Sequence, residues 1–245
     1  MQPGEAAAAA AGTIWKATDY GDAGYWDARY KTEKGGAPFD WYRSYAALRP
    51  FLRHFVPTSC RVLMLGCGNS LMSEHMAMDG YTEIVNVDIS SVVIDMMKQR
   101  HGHIPQLTYM EMDVRDMSLF SDTSFESVVD KGTLDALMCG TDASQAASQM
   151  LGEVNRVLKQ GGIYMLITYG APSARVQYLK QAGLNWKLTL YILSSSRVEE
   201  ETNGSSSSAE LSMEPVPLTE NGQLPPGFVL GDLESHYIYV CEKLN

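Results

Sequence analysis

The sequence predicts an α/β domain with a seven-stranded, mostly parallel sheet, helices on both faces and an antiparallel hairpin at the C-terminal end. Between residues 61 and 168, short apolar runs alternate with longer segments of helical periodicity, which is typical of strand–helix–strand units. Closer to the C-terminus, "WKLTLYIL" and "HYIYVCEK" alternate as two paired strands at a sheet edge do. A length of 245 residues fits one domain, which we assign to residues 20–245.

The N-terminal segment is predicted to fray and then form two helices. Residues 1–19 are expected to be disordered. "YGDAGYWDARYKTE" predicts a helix that begins near Asp22 and places Trp26 and Tyr30 on one face, because they are four residues apart. "FDWYRSYAALRPFL" predicts a second helix that breaks near Pro50.

Five apolar runs are predicted to form the parallel strands, each apolar enough to be buried on both faces of a sheet. They cover residues 61–65, 84–87, 107–112, 127–129 and 163–168. "SSVVIDMMKQRHG" predicts a helix capped by Ser90 or Ser91 and stopped by Gly102. "SQAASQMLGEVNRVLKQGG" predicts another that ends at Gly161.

The segment between the two hairpin strands is predicted to be a flexible loop over residues 194–231. It is rich in Ser, Glu and Pro and poor in aromatic residues, so it offers little apolar surface to bury.

Charge and composition limit the partners of the chain. Its 19 basic and 29 acidic residues give a formal charge of -10, which disfavours nucleic acids and anionic membranes and favours a basic protein partner. No apolar run approaches the ~20 residues that span a membrane, and the N-terminus lacks the pattern of a signal or transit peptide. We therefore expect a soluble cytoplasmic protein, as a monomer or weak dimer.

The four cysteines do not form a CxxC pair, so we expect reduced thiols with neither a disulfide framework nor a metal site.

Two glycines and two acids mark a ligand site. Gly66 and Gly68 follow the first predicted strand, and Asp88 follows Gly66 by 22 residues, a separation at which a carboxylate can accept hydrogen bonds from ribose hydroxyls. Asp113 ends the third strand, so these residues all lie at carboxyl ends of strands, where open α/β sheets bind ligands. The alternatives are a turn or helix-capping role for Asp88 and an exposed loop position for Asp113.

The same residues favour S-adenosylmethionine over NAD. A dinucleotide motif needs a third glycine for close packing near the pyrophosphate, and that position is Leu71. S-adenosylmethionine has no phosphate and needs close backbone approach, an acid for its ribose and polar groups at its ends. Asp113 is placed to bind the adenine amino group, and Val114 to pack on the base or hydrogen-bond through its backbone.

The segments "LGCGNS", "VNVDISSVVIDMM", "MDVRDM" and "SFESVVDKGTLDAL" resemble the class I, Rossmann-like S-adenosylmethionine-dependent methyltransferases of the methyltransferase-like 13 group. This group includes lysine methyltransferases that act on eukaryotic elongation factor 1-alpha. "YWDARY" and "PFDWY" resemble its N-terminal segments, so the resemblance covers roughly residues 25–168.

The resemblance implies a helical lid over residues 20–57 and a cofactor-binding core over residues 61–170. It implies that the cofactor site contains Trp26, Tyr30, Trp41, Gly66, Gly68, Asp88, Ile89, Asp113, Val114 and Lys131, with the three aromatic residues in the lid. It also implies an enzyme that methylates a lysine of a protein substrate such as elongation factor 1-alpha.

Asp130 and Asp135 are the candidate catalytic residues. Methyl transfer is an in-line displacement that depends mainly on alignment, so we expect neither a triad nor a metal. A carboxylate could guide the lysine ammonium into place. In the alternative interpretation, Asp130 contacts only cofactor or backbone, while Asp135 begins a helix or pairs with Lys131.

Two other functions stay open. A small-molecule methyltransferase would have a closed apolar pocket beneath the N-terminal helices and the hairpin loop, whereas a protein substrate needs an open acidic groove. A non-catalytic binding module could also keep the cofactor fold, although Gly66, Asp88 and Asp113 argue against it.

Overall fold

A seven-stranded sheet forms the centre of the computed structural model, which describes residues 16–32, 37–193, 213–229 and 235–244. The strands are β1 (Arg61–Leu65), β2 (Glu83–Asp88), β3 (Leu107–Glu111), β4 (Phe125–Lys131), β5 (Leu158–Thr168), β6 (Trp186–Leu193) and β7 (His236–Lys243). Their order is β3-β2-β1-β4-β5-β7-β6. Strands β1 to β5 are parallel, whereas β7 is antiparallel to both β5 and β6. The predicted fold class, including the antiparallel hairpin, is confirmed.

Helices cover both faces of this sheet. They are α1 (Ala23–Thr32), α2 (Tyr45–Phe55), α3 (Met72–Met78), α4 (Ser91–His101), α5 (Thr133–Leu137), α6 (Ala143–Val157) and α7 (Pro172–Leu179). Leu63 and Leu65 of β1 join the apolar cluster beneath α5, α6 and α7, while Val62 and Met64 join the cluster beneath α2 and α3. Alternate residues of a strand point to opposite faces, so β1 contributes to both halves of the core.

Helix α2 continues through Pro50, contrary to the predicted break. Proline removes one helical hydrogen bond and costs ~3 kcal/mol in a helix interior. Leu48, Phe51 and Leu52 are buried on the same helix, and each buried side chain of this size contributes ~1.5–3 kcal/mol. Packing against the sheet therefore outweighs the local cost of the proline.

The predicted end of α6 at Gly161 is also wrong, because the helix ends at Val157 and β5 begins at Leu158. Leu158 is buried and pairs with Phe125, and the register then shifts before Ser127 pairs with Ile163. Gly161, with φ +70°, lies in this irregular start of β5.

The polar segment before β7 is described over residues 213–229, where it contacts the sheet edge. The Val216 N–H donates to the Leu190 carbonyl of β6 at 2.8 Å, and Gly222 lies against Val176 of α7. The rest of the predicted flexible loop and residues 1–15 of the predicted disordered N-terminus lie outside the described residues. Residues 17–19 form a 3-10 turn.

No helix within the described ranges has both the length and the apolar character needed to cross a membrane.

Candidate functional site

A cavity of about 980 Å³ opens at the carboxyl ends of the parallel strands, under α1 and the segment before α2. Its volume lies at the upper end of the ~300–1,000 Å³ typical of ligand pockets. The predicted site residues that line it are Trp26, Tyr30, Trp41, Gly66, Gly68, Asp88, Ile89, Asp113, Val114, Lys131 and Asp135. Asp130 does not line it.

The turn after β1 requires glycine for two reasons. Gly66 and Gly68 have φ values of +56° and +51°, a region that favours glycine. A β-carbon at Gly66 would overlap the side-chain hydroxyl of Thr133, and one at Gly68 would lie 2.9 Å from the Tyr30 hydroxyl. The Thr133 hydroxyl donates to the Leu65 carbonyl at 2.9 Å. Because Gly66 has no side chain, Thr133 at the start of α5 can pack against its backbone. The same backbone also lines the cavity.

Asp88 closes the turn between β2 and α4 and also faces the cavity. Its Oδ2 accepts from the Gly68 N–H at 2.9 Å, and its Oδ1 accepts from the Ser90 N–H at 3.0 Å. Burial raises the pKa of Asp88 to about 6. Of the two predicted N-cap candidates, Ser90 is the N-cap of α4, since its hydroxyl accepts from the Val93 N–H. The turn role of Asp88 is therefore confirmed, and its carboxylate also lies in the cavity wall, where its contact with a ribose stays a prediction.

Asp113 is held by an arginine that the sequence argument missed. The Arg115 guanidinium donates to both carboxylate oxygens of Asp113 at 2.7–3.0 Å. The Arg115 N–H also donates to Oδ1, as in a tight acid-led turn. These hydrogen bonds fix the orientation of the Asp113 carboxylate beside the buried Val114. The spacing of two residues in "DVR" is the signal that could have revealed the pair.

The predicted aromatic lid surrounds a cation. The Arg29 guanidinium carbon lies 5.4 Å, 5.5 Å and 5.2 Å from the ring centres of Trp26, Phe39 and Trp41, within cation–π range. Trp26 stacks on Tyr30 with ring centres 6.1 Å apart. Arg29 lines the cavity, and its place three residues after Trp26 in α1 put it on the same helical face.

Lys131 anchors the segment before α2 to the end of β4. Its ammonium donates to Asp40 Oδ1 at 3.1 Å and to the Trp41 carbonyl at 3.0 Å. Burial lowers the pKa of Lys131. Asp40 also accepts from the Ser70 hydroxyl, which ties this segment to the loop after β1. The segment before α2 is therefore fixed beside the cavity by side chains that follow or end two strands.

The catalytic prediction for Asp130 requires correction. Its carboxylate is fully buried and accepts from the N–H groups of Thr133 at 2.8 Å and Leu134 at 3.2 Å, and from the Tyr164 hydroxyl at 3.1 Å. Burial, with the nearby Asp135, raises the pKa of Asp130 to about 7. Its side chain caps the start of α5 beneath the cavity, which matches the alternative of a backbone contact.

Asp135 lines the cavity, but its carboxylate already accepts five hydrogen bonds, whereas that of Asp88 accepts two from backbone N–H groups. Arg175 donates to Oδ1 at 2.6 Å, and both residues are 3% exposed. Tyr42 donates to Oδ2 at 2.7 Å, and Thr168 donates to Oδ1. With these donors in place, Asp135 holds its neighbours and does not offer a free carboxylate to an ammonium. The alternative pairing with Lys131 is wrong, since Lys131 pairs with Asp40.

Three residues that the sequence argument missed complete the wall beyond Asp135. They are Tyr42, Tyr169 and His236, which line the cavity. Tyr42 has its ring centre 6.1 Å from that of Tyr169 and 4.9 Å from that of His236. They come from three distant parts of the chain, so no local spacing could have grouped them.

Within the described residues, no group of three or more His, Cys, Asp or Glu side chains is placed to hold a metal ion.

Comparisons with known proteins give a consistent result. Residues 63–166 match the family model described as "Methyltransferase domain". EEF1A lysine methyltransferase 4 of Bos taurus is 36% identical over 177 residues, which is 69% of this chain and 69% of that protein. The eEF1A lysine and N-terminal methyltransferase of Homo sapiens is 39% identical over 167 residues, which is 67% of this chain but 23% of that longer protein.

Among solved structures, a TehB-like SAM-dependent methyltransferase from Corynebacterium glutamicum has a similar fold, with a TM-score of 0.52 and 16% identity. The match covers 83% of this chain and 89% of that one.

Proposed function

We propose that this chain methylates the side-chain amine of a lysine in elongation factor 1-alpha. The chain belongs to the class I S-adenosylmethionine-dependent methyltransferases of the EEF1A lysine methyltransferase group. The observation that carries the proposal is the cavity itself. It joins the bare turn at Gly66 and Gly68 and the acid Asp88 to a separate wall around Tyr42. One end therefore suits a nucleoside cofactor, and the other is left for an acceptor.

The residues present fit S-adenosylmethionine chemically. Asp88 would accept hydrogen bonds from the ribose hydroxyls, and Asp113 with Val114 would hold the adenine. Arg29, a cation that faces the cavity between aromatic rings, would bind the carboxylate of the methionine end. Gly68 would present backbone to the same end. The fit uses four of the residues that the resemblance implied, namely Gly68, Asp88, Asp113 and Val114, together with Arg29.

The bound cofactor would supply a methyl group on a positively charged sulfur. The protein then has to align an amine with that carbon and exclude water. Alignment of this kind is worth up to ~7–11 kcal/mol in favourable cases. Trp26, Tyr30 and Trp41 cover the cavity and would keep water out, and their rings would also favour the positive sulfur by ~0.5–2 kcal/mol.

A protein acceptor is supported by charge and by the names of the relatives. The formal charge of -10 favours a basic segment, such as one that carries the target lysine, and disfavours nucleic acid. The Bos taurus relative is named for lysine methylation of EEF1A. We also propose a cytoplasmic location, and a monomer or weak dimer.

A small-molecule acceptor is the second candidate, since a cavity of about 980 Å³ has room for cofactor and acceptor together.

The test is transfer of radiolabelled methyl from S-adenosylmethionine to unmethylated recombinant elongation factor 1-alpha. We expect label in the protein, located on lysine by mass spectrometry. The matched control is the same factor with its lysines acetylated, which should take up no label. Label on acetylated factor, or label only in small molecules of a cell extract, would overturn the proposal.

Asp88→Ala is expected to weaken S-adenosylmethionine binding by ~1–3 kcal/mol, the cost of losing hydrogen bonds to a charged group. Calorimetric titration of the folded variant measures this. Asp95→Ala is the matched control, because Asp95 is an exposed acid on α4 outside the cavity and should leave the affinity unchanged. Equal affinities for the two variants would remove the ribose assignment.

Cofactor affinity is expected to rise as the pH increases through about 6, the pKa to which burial raises Asp88. Below this pH Asp88 carries a proton, so one oxygen becomes a donor and accepts ribose hydroxyls less well. Binding should therefore release a proton in this range, which titrations in buffers of different ionisation enthalpy detect.

Asp88→Asn is the control for this pH dependence, because it removes the titrating group and should flatten the profile near pH 6. Asp130, whose pKa burial raises to about 7, remains in the variant. If the cofactor affinity of Asp88→Asn still changes near pH 6, the titrating group is not Asp88.

A further inference from the structure

We infer that Tyr42 positions the acceptor amine for methyl transfer, with its ring and phenol oxygen forming one wall of a lysine channel that Tyr169 and His236 complete. This inference rests on the proposed function, since it assigns a residue to the amine of that acceptor.

The position of Tyr42 in the cavity follows from the strand order. The turn at Gly66 after β1, Asp88 at the end of β2 and Asp113 after β3 form one side of the cavity. On the other side of β1 come β4, β5 and β7. Tyr169 follows β5 and His236 begins β7, and both flank Tyr42. With the cofactor on the first side, this second side is the space left for an acceptor.

The second side is also open to a long side chain. Tyr169 is 53% exposed although it lines the cavity, so the wall reaches the protein surface. A lysine has a slender apolar stem and a charged tip. Aromatic walls suit both parts, because rings pack against the stem and attract an approaching ammonium.

The hydroxyl of Tyr42 has a fixed orientation. It donates its proton to Asp135 Oδ2 at 2.7 Å, and Asp135 is held in turn by Arg175 at 2.6 Å. With the proton committed to Asp135, the phenol oxygen retains lone pairs that can accept an N–H from an amine. Burial and the neighbouring Asp135 raise the pKa of Tyr42 above its ordinary value, so it remains a neutral phenol and does not act as a base.

The backbone also holds Tyr42 in an uncommon conformation. Its φ is +64°, which is rare for a residue with a side chain and is found mainly where surrounding contacts impose it at functional sites. Gly132 fits beneath the ring, since a β-carbon there would lie 3.2 Å from Tyr42 Cε2. The absence of a side chain at Gly132 therefore leaves the space that the Tyr42 ring occupies.

Methyl transfer to the lysine amine needs no catalytic base from the protein, because water can take up each proton that is released. The lysine ammonium, with an unperturbed pKa of about 10.4, loses a proton to water before it reacts. The neutral nitrogen uses its lone pair to form the new bond to the methyl carbon, while the carbon–sulfur bond breaks and its electron pair stays on sulfur. The methylated ammonium then releases a proton to water. By accepting one N–H, Tyr42 turns the nitrogen lone pair toward the methyl carbon.

The test compares Tyr42→Phe with the wild-type enzyme on unmethylated recombinant elongation factor 1-alpha. The variant keeps the ring and removes the oxygen. We expect kcat to fall about tenfold, the equivalent of ~1.4 kcal/mol in the barrier. We expect KM for the factor and the calorimetric affinity for S-adenosylmethionine to stay close to wild type.

Tyr45→Phe is the matched control, because Tyr45 is buried and donates to Asp79 at 2.6 Å outside the cavity. It loses the same kind of tyrosine–aspartate bond and should keep wild-type kcat. An equal fall in both variants, wild-type kcat in Tyr42→Phe, or a loss of cofactor affinity in Tyr42→Phe would each overturn the inference.

Tyr169→Ala gives a second test that does not depend on the folding of Tyr42 variants, since Tyr169 is half exposed. Loss of this ring from the channel wall should raise KM for the factor with little change in cofactor affinity. An unchanged KM would overturn the channel. If wild-type enzyme binds cofactor but labels no lysine of the factor, the proposed function fails before any variant is compared.

Discussion

Arg175→Met is expected to lower the free energy of unfolding by ~3–5 kcal/mol, because it leaves a buried carboxylate without its counter-charge. Arg175 and Asp135 are each 3% exposed and lie 2.6 Å apart, so little water reaches the pair to replace the lost partner. Methyl transfer should fall as well, since Asp135 holds the Tyr42 hydroxyl. Chemical denaturation of the variant and the wild type measures the loss.

Two further variants separate the charge effect from general disruption. Arg49→Met removes a surface ion pair with Asp79, in which the arginine side chain is 54% exposed, and should change stability little. The double variant Asp135→Asn with Arg175→Met removes both charges, and it should recover part of the stability that Arg175→Met loses. If the double variant is less stable than Arg175→Met, the buried charge is not the cause.

Gly66→Ala is expected to destabilise the fold and to remove measurable cofactor binding. A β-carbon there would overlap the Thr133 hydroxyl, and overpacking of this kind costs ~1–3 kcal/mol. The left-handed φ of +56° adds ~1–2 kcal/mol for a residue with a side chain. Relief of the overlap would push α5 or the turn away from its position and change the cavity wall that faces the cofactor.

Gly80→Ala is the control for this effect. Gly80 has φ +98°, but no atom of the described residues lies within 4 Å of the position that a β-carbon would take, so only the conformational cost applies. Thermal unfolding should show the larger shift for Gly66→Ala, and cofactor titration should show a loss for that variant alone. Equal shifts with intact binding would mean that the turn tolerates a side chain.

The sheet could be predicted from sequence because its pattern is local. Strand β1 was placed at its observed bounds, since each of its apolar residues enters one of the two core clusters. The course of α2 through Pro50 could not be predicted, because it depends on packing against strands far away in the chain.

The cavity residues of the proposed cofactor side, such as Gly66 and Asp88, were predicted because they lie at fixed distances from strand ends. The cavity residues of the proposed acceptor side were not. Asp135 meets Arg175 across 40 residues and Tyr42 across 93, and no periodicity links them. Asp130 and Lys131 are neighbours at the end of β4, yet Lys131 lines the cavity while Asp130 is buried beneath it. The sequence shows both charged residues but not which of them faces the ligand.

We propose that one half of the cavity binds S-adenosylmethionine and that the other half binds the acceptor amine. The most direct test is calorimetric titration of S-adenosylmethionine into wild type, Asp88→Ala and Tyr42→Phe, with NAD as a parallel ligand. We expect micromolar binding of S-adenosylmethionine to wild type, weaker binding to Asp88→Ala, near wild-type binding to Tyr42→Phe and no binding of NAD. Wild-type affinity in Asp88→Ala, or a loss of affinity in Tyr42→Phe, would contradict the division of the cavity.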